Sequence, residues 1–277
     1  MKQPDRYAVF GHPIGHSKSP RIHGLFARQT GQDLEYSALD VPAEDFDGAL
    51  DGFLRQGGQG LNCTIPLKEL AWRRADRCSE RARRAKAVNT LKREADGSLS
   101  GDNTDGVGLV RDLCGNLGLD LAGKRVLLLG AGGASRGILQ PLLAERPHSL
   151  VIANRTVDKG EQLAGEFTEL GAVSACGFAD LAGRRFDIIL NATAASLQGD
   201  LPPLPEDILA PGGACYDLAY GTSPTAFVLW GRAHGAAVSA DGLGMLVEQA
   251  AEAFFIWRGV RPDTAPVIRL LSEERGF

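Results

Sequence analysis

Apolar residues along the chain fall into short runs separated by amphipathic segments. In the first third, Tyr7–Phe10, Leu34–Val41 and Leu61–Ile65 are such runs and predict β-strands. The segments between them place apolar residues three or four positions apart, which predicts helices. The first of these helices is expected to use Ser19 as its N-cap, with Pro20 at its first helical position. The first third therefore predicts alternating strands and helices.

A glycine-rich turn in the middle of the chain follows an unbroken apolar run. Val126–Leu129 shows no polar alternation, which predicts a strand buried on both faces of a parallel sheet. Gly130 and Gly132 come next, immediately before a helical pattern whose free N-terminal amides favour an anion. A second apolar run, Ser149–Ala153, follows at the offset where dinucleotide-binding folds contact a ribose. We therefore expect a nucleotide-binding βαβ unit, the alternative being a glycine turn in some other α/β protein.

The end of that second run indicates which dinucleotide is bound. An Asp or Glu there accepts a hydrogen bond from a free ribose hydroxyl, but this chain has Asn154, followed by Arg155 and Thr156. A guanidinium at this position suits a 2′-phosphate, which predicts NADP, although Arg155 could instead be a solvated surface residue. The cofactor contacts expected from this unit are Gly130, Gly132, Gly133, Ala134, Asn154, Arg155 and Thr156.

Later apolar runs extend the same sheet. Residues 187–191 and 214–218 are further predicted strands, and an amphipathic helix follows Asp241 and Gly242. A polar cluster, Gly101–Gly106, precedes the nucleotide unit and is a plausible domain boundary. The predicted fold class is α/β with two domains, the second a Rossmann-type doubly wound NADP-binding domain.

Composition narrows the function classes. The 277 residues are 44% hydrophobic and 23% charged, with a formal net charge of −4, so no polycationic surface for nucleic acid is expected. Arg73–Lys86 is rich in arginine, but interspersed Asp76 and Glu80 favour a solvated helical face. The five cysteines show no Cys-x-x-Cys pair and the histidines no ligand spacing, which argues against a structural metal. We expect a soluble cytoplasmic protein without a membrane span or signal peptide, with small-molecule partners.

Several polar residues of the first third lie near the predicted ends of strands. Ligands of open α/β sheets bind at the carboxyl ends of strands, so these residues are candidate ligand contacts. Each also has an ordinary structural explanation: a helix cap, strand alternation, a turn or a surface lysine. The residues concerned are Ser17, Ser19, Asn62, Thr64, Lys68, Asn89 and Asp105.

Taken together, these residues lie in five ordered motifs by which the chain closely resembles the shikimate dehydrogenase family. The resemblance runs almost from end to end. It is carried by Gly11–Pro20, Asn62–Lys68, Ala87–Thr90, Asp102–Gly106 and Asp241–Leu246. Two positions depart from the family pattern: Gly24 stands where an asparagine is common, and the loop 194–197 lacks a frequent glycine–methionine step.

The resemblance implies a domain arrangement and a set of roles. It implies a substrate-binding domain formed by residues 1–105 and 242–277, with a returning C-terminal helix, around a Rossmann domain at 106–241. It makes Lys68 and Asp105 the catalytic pair. The substrate carboxylate would be bound by Ser17 and Ser19, and the rest of the substrate by Asn62, Thr64, Asn89, Asp105, Tyr220 and Gln249. Thr193, Gly242 and Met245 join the expected cofactor contacts.

The activity implied by the resemblance is reversible, NADPH-dependent reduction of 3-dehydroshikimate to shikimate in aromatic amino-acid (chorismate) biosynthesis, by a monomer or homodimer. Two alternatives stay open. One is a quinate/shikimate dehydrogenase with broader substrate and cofactor use. The other is a nucleotide-binding relative that has lost catalysis, since fold alone does not fix function. The presence of both Lys68 and Asp105 argues against the second alternative.

Overall fold

The computed structural model describes residues 3–276, which divide into two compact units. The first unit contains Met1–Gly108 and Val247–Val267, and the second contains Leu109–Leu246 and Ile268–Phe277. The chain thus passes between the units three times. The last passage lies inside the final helix, Ala265–Glu273, whereas the resemblance implies no boundary after residue 242.

The first unit is built on a mixed six-stranded sheet with the order β2-β1-β3-β5-β6-β4. Its first three strands are parallel, and β5 and β6 form an antiparallel hairpin beside β3. The strands are β1 (Asp5–Gly11), β2 (Leu34–Asp40), β3 (Gly58–Cys63), β4 (Arg77–Cys78), β5 (Thr90–Arg93) and β6 (Leu99–Asp102).

The second unit is built on a six-stranded sheet in which every pairing is parallel, with the order β12-β11-β10-β7-β8-β9. The strands are β7 (Arg125–Leu129), β8 (Ser149–Ala153), β9 (Val173–Cys176), β10 (Phe186–Asn191), β11 (Leu209–Asp217) and β12 (Val238–Asp241). This doubly wound order is that of a Rossmann fold, and it confirms the predicted fold class.

Ten α-helices join and cover these strands within the described residues. Their bounds are α1 (Ser19–Thr30), α2 (Phe46–Arg55), α3 (Lys68–Arg74), α4 (Glu80–Ala85), α5 (Asp105–Arg111), α6 (Gly133–Ala144), α7 (Val157–Gly165), α8 (Ala226–Ala233), α9 (Leu243–Arg258) and α10 (Ala265–Glu273). A π-helical turn, Asp112–Asn116, continues α5.

The β7 run is buried on both faces, as its lack of polar alternation predicts. Val126 and Leu128 pack into one apolar cluster of the second unit, and Leu127 and Leu129 pack into the other. All four side chains are at most 1% exposed. The strand can therefore only occupy the interior of a sheet covered on both sides.

Helix α1 begins one residue earlier than the sequence suggests. Lys18 occupies the N-cap position and makes no side-chain capping bond, while Ser19 is already the first helical residue. The expected capping role of Ser19 is therefore wrong. The backbone amide of Ser19 instead donates to Ser17 Oγ at 3.3 Å. The C-terminus behaves as glycine predicts, because Gly31 adopts φ 63° and its N–H donates to Ala27 O.

The arginine-rich segment is not one continuous helical face. It forms the end of α3, the short strand β4 and α4. Several of its arginines are paired with carboxylates of the same unit. The pairs are Arg74 with Asp51, Arg77 with Asp96, and Arg81 with Asp102 and Glu252.

The cysteines and the helices give two further properties of the described residues. All five cysteines are free thiols, and burial raises the pKa of Cys215 to about 12. No described helix combines the length and apolar character needed to cross a bilayer.

Helix α9 packs closely on β3 of the first unit at a glycine. A Cβ placed on Gly60 would lie 2.6 Å from Trp257 Nε1 and 2.7 Å from Leu91 O, the two atoms that are hydrogen-bonded to each other at 3.0 Å. We expect Gly60→Ala to lower the free energy of unfolding by about 1–3 kcal/mol, because the backbone oxygen cannot yield.

Urea denaturation checks this expectation against Gly48→Ala. Gly48 is exposed in α2 with no atom within 4 Å of its Cβ position. That variant should gain about 0.5–1 kcal/mol from helix propensity. Equal stability of Gly60→Ala and the wild type would contradict the close approach.

Candidate active site

Two oppositely charged side chains meet at the first residues of two helices. Lys68 begins α3, shortly after β3, and Asp105 begins α5, shortly after β6. Lys68 Nζ lies 2.5 Å from Asp105 Oδ2, and the side chains are 29% and 14% exposed, respectively. The amine therefore remains accessible from solvent while its partner is largely enclosed. Such a group can give or take a proton at a bound ligand.

The second oxygen of Asp105 is held by a buried asparagine. Asn89 Nδ2 donates to Asp105 Oδ1 at 2.8 Å and to Thr104 Oγ1 at 2.9 Å. Asn89 Oδ1 accepts from the Thr104 amide and from Thr90 Oγ1, both at 2.9 Å. Gln249 Oε1, from α9, lies 3.4 Å from Asn89 Nδ2. Both ends of the Asn89 amide are thus engaged, and its position fixes that of Asp105.

Asn62 extends this network along β3. Its Nδ2 donates to Asn89 O and to Thr90 Oγ1, both at 3.0 Å. Its Oδ1 accepts from the Tyr36 hydroxyl at 2.7 Å. The structure therefore joins Asn62, Asn89, Asp105 and Lys68 in one continuous hydrogen-bonded group.

The remaining predicted substrate contacts lie in three places. Ser17 and Ser19 lie at the junction of β1 and α1, where both are at least partly buried. Thr64 follows β3, and its amide donates to Phe10 O at 2.9 Å. Tyr220 belongs to the second unit, in the loop after β11, and burial raises the pKa of its hydroxyl.

Sequence reasoning missed three residues of this network, Tyr36, Thr90 and Thr104, and also the buried His23 that packs against Tyr36. Thr90 and Thr104 are 1% and 0% exposed and serve as partners of Asn89. Both lie within quoted motifs, and a polar residue in an otherwise buried strand or turn was the available signal. His23 stacks on Tyr36 with ring centroids 4.2 Å apart and planes 5° apart. Only the pairing of β2 with β1 brings Tyr36 close enough to reveal its role.

In the second unit, the glycine turn has the form that the sequence predicts. Gly130 adopts φ 98°, a conformation that favours glycine, and its N–H donates to Ala153 O at 2.8 Å. Ser135 Oγ donates to Gly130 O at 2.7 Å and fixes the turn. Gly132, Gly133 and Ala134 are exposed at the start of α6. A helix N-terminus is thereby open to a phosphate group.

The end of β8 also suits a phosphorylated ribose. Asn154 Nδ2 donates to Thr156 O at 2.7 Å, which shapes the turn into α7. Arg155 and Thr156 are exposed beyond it, and no carboxylate occupies the strand end. A guanidinium and a hydroxyl without an acidic neighbour fit the 2′-phosphate of NADP.

The remaining predicted cofactor contacts lie where β10, β11 and β12 end. Thr193 Oγ1 donates to Asn191 Oδ1 at 2.7 Å. A Cβ on Gly242 would lie 2.2 Å from Leu218 O, so only glycine allows this close approach. The Met245 amide donates to the Tyr216 hydroxyl at 3.3 Å.

A buried carboxylate connects the loops at this edge of the sheet. Asp217 is fully buried and accepts from Ser196 Oγ at 2.5 Å, Thr225 Oγ1 at 2.7 Å and the Ala219 amide at 3.1 Å. Burial raises the pKa of Asp217, and these donors offset part of the rise. Among residues 3–276, no group of three or more His, Cys, Asp or Glu side chains could hold a metal ion.

These features define a class of protein: a Rossmann-type dinucleotide-binding unit in the same chain as an α/β unit that carries an amine–carboxylate pair. Models of three domains match in order. They are the shikimate dehydrogenase substrate binding domain at residues 9–91, shikimate/quinate 5-dehydrogenase at 112–198 and the shikimate 5′-dehydrogenase C-terminal domain at 242–271. The chain belongs to the shikimate dehydrogenase family, which confirms the resemblance drawn from its motifs.

Individual relatives agree with this assignment. The chain is 70% identical to a shikimate dehydrogenase (NADP(+)) of Methylococcus capsulatus, covering 99% of each chain. An Ael1 enzyme of Pseudomonas putida has a similar structure, with a TM-score of 0.91, 51% identity and coverage of 96% and 98%. The shikimate 5-dehydrogenase of Thermus thermophilus, solved with NADP(H) and shikimate, gives a TM-score of 0.86 at 34% identity, covering 98% and 99%.

The buried His23 generates a prediction about stability and pH. Burial lowers the pKa of His23 from 6.5 to about 3. Between these pH values the unfolded chain binds a proton that the folded chain does not bind, so stability falls as the pH falls. We expect His23→Phe to remove this contribution, which amounts to at most about 1.4 kcal/mol per pH unit.

Urea denaturation at pH 7.5, 5.5 and 4.5 measures the difference. His148→Gln, at an exposed position, serves as the control and should retain the wild-type slope. If the free energy of unfolding depends on pH equally in the wild type and in His23→Phe, the imidazole is not held neutral by burial.

Proposed function

We propose that this protein catalyses the reversible, NADPH-dependent reduction of 3-dehydroshikimate to shikimate in aromatic amino-acid biosynthesis. The observation that carries the proposal is the pairing of Lys68 Nζ with Asp105 Oδ2 at 2.5 Å, in a member of this family. The curated Methylococcus capsulatus relative bears the name of this activity at 70% identity over nearly the whole chain.

Lys68 is the proton donor of the proposed reaction. When a ketone is reduced, negative charge develops on its oxygen, and the transition state is stabilised by a nearby cation that can also give a proton. The Lys68 ammonium combines both properties in one group. Asp105 aims it, and Asn89 fixes Asp105 from the opposite side. In the oxidation direction, the neutral amine accepts the proton of the substrate hydroxyl.

The polar network of the first unit contains hydrogen-bonding groups suited to bind a hydroxylated carboxylic acid. We assign the substrate carboxylate to Ser17 and Ser19, because hydroxyl donors to a carboxylate form charge-assisted hydrogen bonds. Asn62, Thr64, Asn89, Asp105 and Gln249 are assigned to the ring hydroxyls. Tyr220 of the second unit is assigned to the same substrate.

The cofactor is assigned to the second unit. The exposed amides at the start of α6 would hold its pyrophosphate, and Arg155 with Thr156 would hold the 2′-phosphate next to Asn154. Thr193, Gly242 and Met245 are assigned to its nicotinamide end. Bound NADPH supplies the hydride in reduction, and NADP accepts it in oxidation.

The alternatives raised by the sequence are less well supported. A relative without catalysis has no need of an enclosed amine–carboxylate pair, which this chain retains. Broad use of quinate and NAD is not favoured by the name of the 70%-identical relative. Cytoplasmic location is part of the proposal and is supported by five unpaired cysteines. We propose a monomer or homodimer without nucleic-acid or membrane partners.

The decisive assay mixes the protein with shikimate and NADP and follows the absorbance of the reduced nicotinamide. Growth of that band on the addition of shikimate is expected. Parallel assays with quinate and with NAD measure substrate and cofactor choice. A protein that binds NADP but shows no turnover would contradict the proposed activity.

Replacement of Lys68 tests the proposed proton donor. We expect Lys68→Ala to lower kcat by about 10²- to 10⁴-fold while KM for shikimate changes far less, because proton transfer matters mainly in the transition state. Steady-state kinetics measures both constants. Lys92→Ala is the matched control. Lys92 lies on β5 and pairs with Glu94, so this variant should have the kinetic constants of the wild type. Near-normal kcat in Lys68→Ala would disprove the assignment.

Replacement of Arg155 tests the phosphate contact. We expect the wild type to prefer NADP over NAD at least about tenfold in kcat/KM, and Arg155→Ala to lose most of that preference. Arg185→Ala, at another exposed arginine of the same unit, should keep it. If Arg155→Ala keeps the preference, other residues hold the phosphate. Equal use of both cofactors by the wild type would favour the broad-specificity alternative.

A further inference from the structure

Asn62 has little hydrogen-bonding capacity left for a ligand. A side-chain amide has two N–H donors and an oxygen with two lone pairs. Both donors are directed at protein oxygens, Asn89 O and Thr90 Oγ1, and one lone pair accepts from the Tyr36 hydroxyl. These bonds leave one lone pair on Oδ1, and the buried His23 ring, whose two nitrogens form no hydrogen bond of ordinary length, lies beside the Asn62 side chain. In this orientation Asn62 can only accept a hydrogen bond from a ligand hydroxyl and cannot donate one.

The Asn89 carbonyl selects this orientation of the Asn62 amide, because a carbonyl oxygen can only accept from Nδ2, and the Tyr36 hydroxyl then donates to Oδ1. If the amide turned over, its NH₂ group would face Tyr36 and its oxygen would face Asn89 O, which is itself an acceptor. Burial raises the pKa of Tyr36 well above its usual value, so its hydroxyl remains protonated and acts as a donor toward Asn62. The hydrogen bond from Tyr36 to Asn62 Oδ1, at 2.7 Å, holds the amide oxygen in the position that the Asn89 carbonyl dictates.

Tyr36 also lies beside a second proposed substrate contact. The Ser19 side chain is close enough to hydrogen-bond to the Tyr36 hydroxyl, which offsets part of the pKa rise caused by burial. A single tyrosine oxygen on β2 thus neighbours both the residue assigned to the substrate carboxylate and a residue assigned to its ring hydroxyls.

The ring of Tyr36 is fixed by aromatic packing. His23 of α1 lies parallel to it at 4.2 Å, and Trp257 of α9 lies 6.2 Å away, at 42°. His23 is 1% exposed and contacts Phe254 and Trp257 as well. Two other elements, α1 and α9, therefore hold the Tyr36 ring, which leaves its hydroxyl little freedom to move away from Asn62.

We propose that Tyr36 is a positioning residue for substrate binding: its hydroxyl holds the Asn62 amide with one oxygen lone pair directed to a ring hydroxyl of the substrate, and His23 holds Tyr36 by stacking. This inference rests on the proposed function, because it assigns Asn62 to the ring hydroxyls of shikimate. Tyr36 itself takes no part in proton transfer, which belongs to Lys68 and Asp105.

Tyr36→Phe tests the proposal, because it retains the stacked ring and removes only the hydroxyl. We expect KM for shikimate to rise about 5- to 20-fold, the effect of losing one well-oriented hydrogen bond. The value of kcat should stay within about threefold of the wild type, since the Lys68–Asp105 pair is not altered. KM for NADP should be unchanged.

Tyr7→Phe is the matched control. Tyr7 stacks on Trp257 at 4.7 Å in the same aromatic group, but its hydroxyl accepts from Arg258 Nη1 at 3.4 Å and makes no bond to Asn62. We expect wild-type kinetic constants for this variant. If Tyr7→Phe raises KM as much as Tyr36→Phe, general packing explains both effects and the proposal fails.

A double variant tests whether Tyr36 acts through Asn62. Adding Tyr36→Phe to Asn62→Ala should raise KM by less than about threefold, because the group to be positioned is already absent. If adding Tyr36→Phe to Asn62→Ala raises KM by a further 5- to 20-fold, Tyr36 does not act through Asn62 and the proposal fails. An unchanged KM in the single Tyr36→Phe variant would also overturn it. A fall in kcat that matches the rise in KM would also overturn it.

The same measurements separate this proposal from the proposed function. Wild-type protein that does not oxidise shikimate with NADP disproves the function, and the role given to Tyr36 for that substrate fails with it. Active wild-type protein with unaltered kinetics in Tyr36→Phe disproves only the positioning role.

Discussion

The enclosed ion pair between Lys68 and Asp105 imposes the main constraint on the first unit. Its two residues are 37 positions apart in the chain, yet their charged atoms must meet at 2.5 Å. A charge removed from water is tolerated only when its remaining hydrogen-bonding positions are filled. Asn89 fills one such position on Asp105, and its own amide is then completed by Thr90 and Thr104. The hairpin β5–β6 brings these partners together.

The second unit meets a similar requirement with a single carboxylate. Asp217 has no exposed surface, and hydroxyls from Ser196 and Thr225 and the Ala219 amide converge on it. Ser196 lies in the loop that departs from the family pattern. Its hydroxyl donates to Asp217 and accepts from Asn191 Nδ2 at 2.9 Å. A serine of this loop is thus joined to the buried carboxylate, which gives its side chain a local structural role.

Features set by short stretches of sequence were predictable, and those set by strand pairing were not. Val126–Leu129 and Gly130 carry their own signals, because an unbroken apolar run and a left-handed glycine need no knowledge of distant residues. The prediction that Ser19 caps α1 is wrong because it depends only on the neighbouring Pro20, whereas the helix already includes Ser19. Tyr36 gave no signal on its own strand, since its importance depends on Asn62, 26 positions later. The motifs identify Lys68 and Asp105 as the catalytic pair. The support that Thr90 and Thr104 give to this pair through Asn89 becomes visible only in the folded structure.

The division of the chain within α10 has a consequence for its modularity. Neither unit is encoded by one uninterrupted stretch of the gene. Residues 247–267 belong to the first unit, and residues 268–277, which follow them, belong to the second. Arg275 from that last segment donates to Asp241 Oδ2 at 2.5 Å, with side chains only 9% and 7% exposed. A fragment cut out as residues 109–246 would therefore deprive the largely buried Asp241 of this arginine. To isolate the second unit, residues 268–277 would have to be joined to residues 109–246.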